Sequence, residues 1–313
     1  MKTSPVTTAD LQRSVLAVPP LCRRPDLALD EAANRAMVAH LRGGGVATHL
    51  WGGNANLYNM GSTEFAPFLD MAERLAEGEE WAIPSVGAEF GKALDQVDQL
   101  RERPFPTAML LPLRFPATPA GTARGIALLA ERYGRPLIAY VKDDGHIDPA
   151  DLARLMRDGA LCAVKYGTVR SHPADDPTLA AIVDAVGPER VISGIGERPV
   201  IDHARRFRLK AFTSGSVCVA PRLSTDILHA LQRVDVPAAE AIRALFLPLE
   251  DLRDAHSPLR VLHEAVHLAG IAGTGPMLPM LSNITDPATL SAIREAALAL
   301  RALDGQAALT RAA

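Results

Sequence analysis

Lys165 sits near the end of the apolar run Gly159-Ala160-Leu161-Cys162-Ala163-Val164-Lys165-Tyr166-Gly167. A short apolar run bounded by turn residues has the character of a buried parallel strand. Burial penalises an ammonium ion and so lowers the pKa of a lysine placed there. A neutral amine is a nucleophile, and with a ketone it forms a Schiff base. Lysine is otherwise scarce, occurring only at Lys2, Lys92, Lys142 and Lys210. Of these, only Lys142 also directly follows a strand-like run, Pro136-Leu137-Ile138-Ala139-Tyr140-Val141. The two-residue period of a strand puts Tyr140 and Lys142 on one face of that run. A phenol near an amine can shuttle the protons that imine chemistry moves. The competing reading of Lys165 is a strand-end lysine whose head snorkels to water, and for Tyr140 a packed aromatic with a wet hydroxyl.

The elements that must position these groups can be read in order. Strand-like runs fall at Ser14–Pro20, Val46–Trp51, Trp81–Gly87, Thr107–Leu113, Pro136–Val141, Gly159–Gly167, Arg190–Gly194 and Lys210–Gly215. Helical patterns separate them: Asp30 opens one that ends at Gly43-Gly44-Gly45, and others cover about 62–77, 90–101, 119–133, 149–158, 179–186 and 201–207. This alternation predicts an α/β protein built as a (β/α)8 TIM barrel over residues 1–223. Beyond it the alternation stops. Residues 224–233, 237–246, 258–270 and 286–303 read as helices, giving a C-terminal helical extension over 224–313. Residues 1–13 read as a polar lead-in.

Bulk properties exclude several classes. A length of 313 residues with 48% hydrophobic and 22% charged residues fits a globular chain with a large core. The net charge is −3 and arginine is dispersed, so neither a nucleic-acid footprint nor a polybasic membrane patch is expected. Cys22, Cys162 and Cys218 are odd in number and far apart, consistent with thiols in a reducing compartment. The N-terminal residues lack an apolar signal core, and the expected location is cytoplasmic.

In such a barrel the active site lies at the carboxyl ends of the strands. Besides Lys165 and Tyr140, those ends carry Gly52-Gly53-Asn54-Ala55-Asn56, Arg114, Lys142, Gly194 and Thr213. Backbone N–H groups around Gly53 and Asn54 can turn toward an anion such as a carboxylate. Arg114 and Lys142 are candidates for a second anion clamp; the competing reading is a solvated charge on the rim. His263-Glu264-Ala265-Val266-His267 matches the short H-E-x-x-H zinc pattern. It falls in the helical extension with no third ligand spaced for it, so no metal and no other cofactor is assigned.

Taken together, these segments resemble the dihydrodipicolinate synthase / N-acetylneuraminate lyase family of pyruvate-dependent class I aldolases. The likeness runs from about Ser14 to Gly270. Val164-Lys165 resembles the family's Schiff-base lysine segment, and Leu137-Ile138-Ala139-Tyr140 the strand with its proton-shuttling tyrosine. Ser85-Val86-Gly87, Ile192-Ser193-Gly194 and Ser214-Gly215-Ser216-Val217-Cys218-Val219-Ala220-Pro221-Arg222 resemble its third, seventh and eighth strand ends. The resemblance implies a lyase acting on pyruvate or a related 2-oxo acid, with Gly53, Asn54, Thr213 and Gly194 near the substrate and a homotetrameric assembly, while Arg114 and Lys142 are candidates for an anion clamp that the family does not have. There are departures. The family's Gly-Thr-Thr-Gly-Glu is here Gly52-Gly53-Asn54-Ala55-Asn56, its tyrosine pair after strand four is replaced by Pro112-Leu113-Arg114-Phe115, and the place of its substrate-gripping arginine holds Gly145. An altered proton relay is therefore expected. The alternatives are a dehydratase of a sugar-derived 2-oxo acid working through the same imine, and a non-catalytic metabolite-binding relative.

Overall fold

The structure is a computed structural model that describes residues 1–312, and the side chains of 1–308. Residue 313, the end of the expected extension, lies outside the described residues. Nine parallel strand segments form one sheet: β1 (Leu16–Ala17), β2 (Thr48–Leu50), β3 (Trp81–Ile83), β4 (Ser85–Val86), β5 (Ala108–Leu110), β6 (Leu137–Val141), β7 (Leu161–Tyr166), β8 (Val191–Ser193) and β9 (Ala211–Ser214). Their order is β3-β2-β1-β9-β8-β7-β6-β5-β4. The two ends of that order are halves of the expected third strand, split at Pro84. Proline has no N–H to give to a ladder. β3 accordingly pairs with β2, and β4 with β5. The Pro84 carbonyl still accepts from Met109 N–H at 2.9 Å. The sheet thus comes round on itself as a (β/α)8-type barrel.

Helices α2 (Glu31–Gly43), α3 (Ser62–Leu75), α4 (Phe90–Arg101), α5 (Pro119–Tyr133), α6 (Pro149–Arg157), α7 (Pro177–Val186) and α8 (Val200–Phe207) cover the outside. Their starts are written in the sequence. The Asp30 side chain caps α2 by accepting from Ala33 N–H, and Thr118 and Asp176 cap α5 and α7 in the same way. Proline occupies the first helical turn of α5, α6 and α7, where its missing N–H costs nothing. A short helix α1 (Thr8–Gln12), closed by a Thr7–Asp10 capping box, replaces the expected polar lead-in.

α9 (Pro221–Gln232) packs on α2 and on the next helix, and the division expected at residue 223 falls inside it. α10 (Val236–Ala255), α11 (Pro258–Leu268) and α12 (Pro287–Ala312) follow. α10 runs nine residues beyond the expected end at 246, straight through Pro248. These helices share a core with the barrel wall. Phe246, Leu249, Val261 and Ile293 belong to the same buried cluster as Ala17, Phe212 and Val219. The C-terminal helices are therefore fixed relative to the strand ends.

β7 is held from outside as well as by its neighbours. Tyr166 points away from the barrel axis and donates to the buried Asp176 at 2.7 Å, and Arg170 donates to the same carboxylate at 3.2 Å. Tyr166→Phe removes one donor to a buried carboxylate, which should cost about 1–3 kcal/mol, read as a lower urea midpoint at unchanged slope.

Candidate active site

Alternation along β7 turns Lys165 inward when Tyr166 faces out. Lys165 is directly in register with Tyr140 on β6. Both are buried, at 4% and 8% exposure, and both line a cavity of about 200 Å³ at the carboxyl ends of the strands. The Lys165 Nζ lies 3.5 Å from the centroid of the Tyr140 ring, over its face. The amine is thus stacked on the ring rather than hydrogen-bonded to the hydroxyl. Glycines make this possible. A Cβ on Gly167 would come within 2.7 Å of Tyr140 Cε2, and one on Gly194 within 2.4 Å of the Tyr166 carbonyl and 3.1 Å of Lys165 Cγ.

The electrostatics follow from this enclosure. Burial holds the Lys165 pKa well below the ordinary lysine value, and the positive charges of Lys142 and Arg253 lower it further. A cation–π contact favours the charged form, but is worth only about 2 kcal/mol when desolvated. Burial raises the Tyr140 pKa, reinforced by Tyr58 and Asp143. Tyr58, from the turn after β2, is pushed up to about 12 by burial. Enclosure thus shifts the amine toward its neutral form, beside two phenols whose burial favours the protonated form.

The other expected residues divide. Gly53, Asn54, Lys142, Gly194 and Thr213 all line the cavity. The Asn54 Nδ2 donates to Val18 O at 2.9 Å, and Thr213 Oγ1 to Ser193 O at 3.4 Å. Lys142 is half-buried, its pKa lowered by burial and then by Arg114. Arg114 is the correction. It forms a two-pronged ion pair with Asp143 at 2.7 and 2.8 Å, its side chain is 66% exposed, and it faces a separate surface depression. The guanidinium already has its carboxylate and is not brought to the cavity. His263 and Glu264 of the H-E-x-x-H pattern are occupied elsewhere. His263 Nε2 meets Gly275 O at 2.8 Å, and Glu264 accepts from Asn283 Nδ2 at 2.9 Å, so they tie α11 to the chain that follows it. Among the described residues no group of three or more His, Cys, Asp or Glu is placed to hold a metal ion.

No family model matches this sequence, and no curated protein matches it. Solved structures do. Dihydrodipicolinate synthase from Bacillus clausii superposes with a TM-score of 0.82 at 19% identity, covering 93% of this chain and 98% of that one. This chain has the dihydrodipicolinate synthase fold. YagE, a prophage protein of the dihydrodipicolinic acid synthase family from E. coli K12 solved in complex with pyruvate, gives 0.79 at 17% identity over 92% of this chain and 98% of that one. PhdJ, solved bound to a substrate intermediate, gives 0.81 at 17% identity over 97% and 99%.

Several residues that line the cavity of this dihydrodipicolinate synthase-like barrel were not foreseen, among them Tyr58, Arg170, Arg198, Glu250 and Arg253. Tyr58 carried no motif, only its place six residues after Gly52. Glu250 and Arg253 lie on the part of α10 beyond the expected helix end at 246. Among the described residues no helix is long and apolar enough to cross a membrane.

If enclosure and neighbouring cations depress Lys165, its amine should titrate well below an ordinary lysine when followed by NMR of the ¹³C-dimethylated protein. Lys142→Met removes a positive neighbour and should move that titration upward. A Lys165 signal at the free-lysine position would contradict the assignment.

Proposed function

We propose that this chain is a Schiff-base-forming class I lyase or aldolase acting on pyruvate or a related 2-oxo acid. The observation that carries the reading is the Lys165 amine, buried in the barrel mouth and held over the ring of Tyr140. A lysine retained only for solubility would extend to water. The pyruvate and the substrate intermediate held by the two neighbours named above support the same reading. It includes a homo-oligomer and a cytoplasmic location, as the sequence resemblance implies.

In this mechanism the Lys165 Nζ lone pair attacks the C2 carbonyl, whose oxygen takes up a proton. The resulting carbinolamine loses water to leave an iminium ion. The positive nitrogen then accepts the electron pair released when C3 loses a proton or when the C3–C4 bond breaks, giving an enamine. Protonation at C3 and hydrolysis return the free amine. Tyr140 is the group that gives and takes these protons. Because Nζ sits over the ring face, protons pass between amine and hydroxyl through the substrate's own oxygens. Tyr58 faces the same cavity and influences Tyr140 electrostatically, so it stands in for the hydroxyls missing from Gly52-Gly53-Asn54. The backbone around Gly53 and Asn54 faces the substrate carboxylate. Condensation, cleavage and dehydration all pass through this iminium.

Reduction with borohydride in the presence of pyruvate should add the mass of a reduced imine at Lys165. Lys165→Met should abolish it. Tyr140→Phe should leave the adduct but slow turnover by about 10²–10⁴-fold, with Tyr58→Phe milder. Absence of an adduct across a panel of 2-oxo acids would remove the reading.

A further inference from the structure

The barrel mouth contains a guanidinium that the barrel itself does not supply. Arg253 comes from α10 and is 8% exposed. One of its nitrogens is committed: Nη1 donates to Glu250 Oε1 at 2.9 Å and to Ser216 Oγ at 3.1 Å. Glu250 is itself fixed, because its second oxygen accepts from Arg198 N–H at 3.0 Å. The opposite edge is open. Nε is buried with no acceptor. An unpaired buried donor costs about 1–3 kcal/mol, so this edge is held ready at a penalty. Nη2 lies beside Gly215, where an added Cβ would be 3.2 Å from it and 2.8 Å from Asn54 Nδ2. Asn54 spends one amide hydrogen on Val18 O and keeps the other. Donors from α10 and from the turn after β2 thus meet over the end of β9, in the cavity that holds Lys165.

Resting on the reading of Lys165 as an imine-forming amine, we propose that Arg253 is the residue that selects an anionic ketone, taking the carboxylate of the 2-oxo acid on its Nε–Nη2 edge together with Asn54 Nδ2. The chemistry fits. A guanidinium presents parallel donors matched to two carboxylate oxygens, and such charge-assisted pairs are the strong ones. Glu250 and Ser216 act as positioning residues that orient the fork by occupying its third nitrogen. Gly215 is small because both donors crowd its Cα.

The test compares pyruvate with pyruvamide, its uncharged isostere, by the concentration needed for half-maximal borohydride adduct on Lys165. Wild type should favour pyruvate strongly. Arg253→Lys keeps a cation for Glu250 and Ser216 but loses the fork; it should weaken pyruvate about 10- to 100-fold and leave pyruvamide nearly unchanged. Arg253→Met should do the same or more, and circular dichroism of both variants separates this from unfolding. If both variants fold and keep the wild-type preference, Arg253 is only a structural partner of Glu250 and the proposal is overturned. Calorimetric titration with pyruvate separates the two readings. Binding that needs Arg253 in a wild type giving no adduct sinks the imine and keeps the clamp. Neither adduct nor binding in wild type overturns both.

Discussion

The amine of Lys165 is enclosed without a carboxylate to neutralise it, and much of the surrounding structure answers to that constraint. Removing an ammonium ion from water costs several kcal/mol. The aromatic face beneath it recovers only about 2 kcal/mol. Lys142 and Arg253 push in the same direction as burial. Burial and both cations shift the amine toward its neutral form, the form that attack on a ketone requires. A single acidic neighbour at Nζ would reverse this balance. The acids near the mouth are instead paired away: Glu250 with Arg253, Asp254 and Asp251 with Arg198, Asp144 and Asp176 with Arg170.

Holding an unfavourable group in place demands a stiff support. β7 is gripped on both edges, by β6 and β8, and its outward tyrosine is tied to Asp176 at the start of α7. Beneath the C-terminal helices, Glu197 is fully buried, accepts from Ser224 Oγ at 2.6 Å, and has its pKa raised to about 8 by burial and by the charge of Glu250. Glu250 in turn meets the Arg253 guanidinium at 2.9 Å.

Most of the barrel was legible because strand runs and helix caps are local signals. Lys165 and Tyr140 stood out because a lysine or a tyrosine ending an apolar run is visible in one dimension. Their register is a consequence of adjacent parallel strands. Two things were not legible. Pro84 lies inside one apolar run, and only the pairing of each half with a different neighbour reveals the split. Pro248 reads locally as a helix stop, yet α10 continues because Leu249 and its neighbours bury against the shared core. Tertiary packing outweighed the loss of one backbone hydrogen bond. With the helix cut at 246, Glu250 and Arg253 had no predicted position at all. Arg114 failed for the opposite reason. Its place at a strand end was right, but its partner Asp143 is distant in sequence and only the fold brings them together.

The turn after β2 without threonines and the arginine arriving from α10 border the same cavity. A glycine at residue 53 leaves the turn without a hydroxyl, and Tyr58 fills the space near it, 3.7 Å from where a Cβ would stand. Asn54 is drawn toward Val18 and Gly215 rather than into the centre of the cavity. The turn therefore cannot neutralise a carboxylate with its own side chains and offers only neutral N–H donors. Among the cations that line the cavity, Lys142 is half-buried beside Arg114, while Arg170 and Arg198 are paired with aspartates. An arginine entering over the glycine at 215 reaches the same volume from above. Because it is rooted in a helix that shares the barrel's own core, it does so with the rigidity of a strand-end residue.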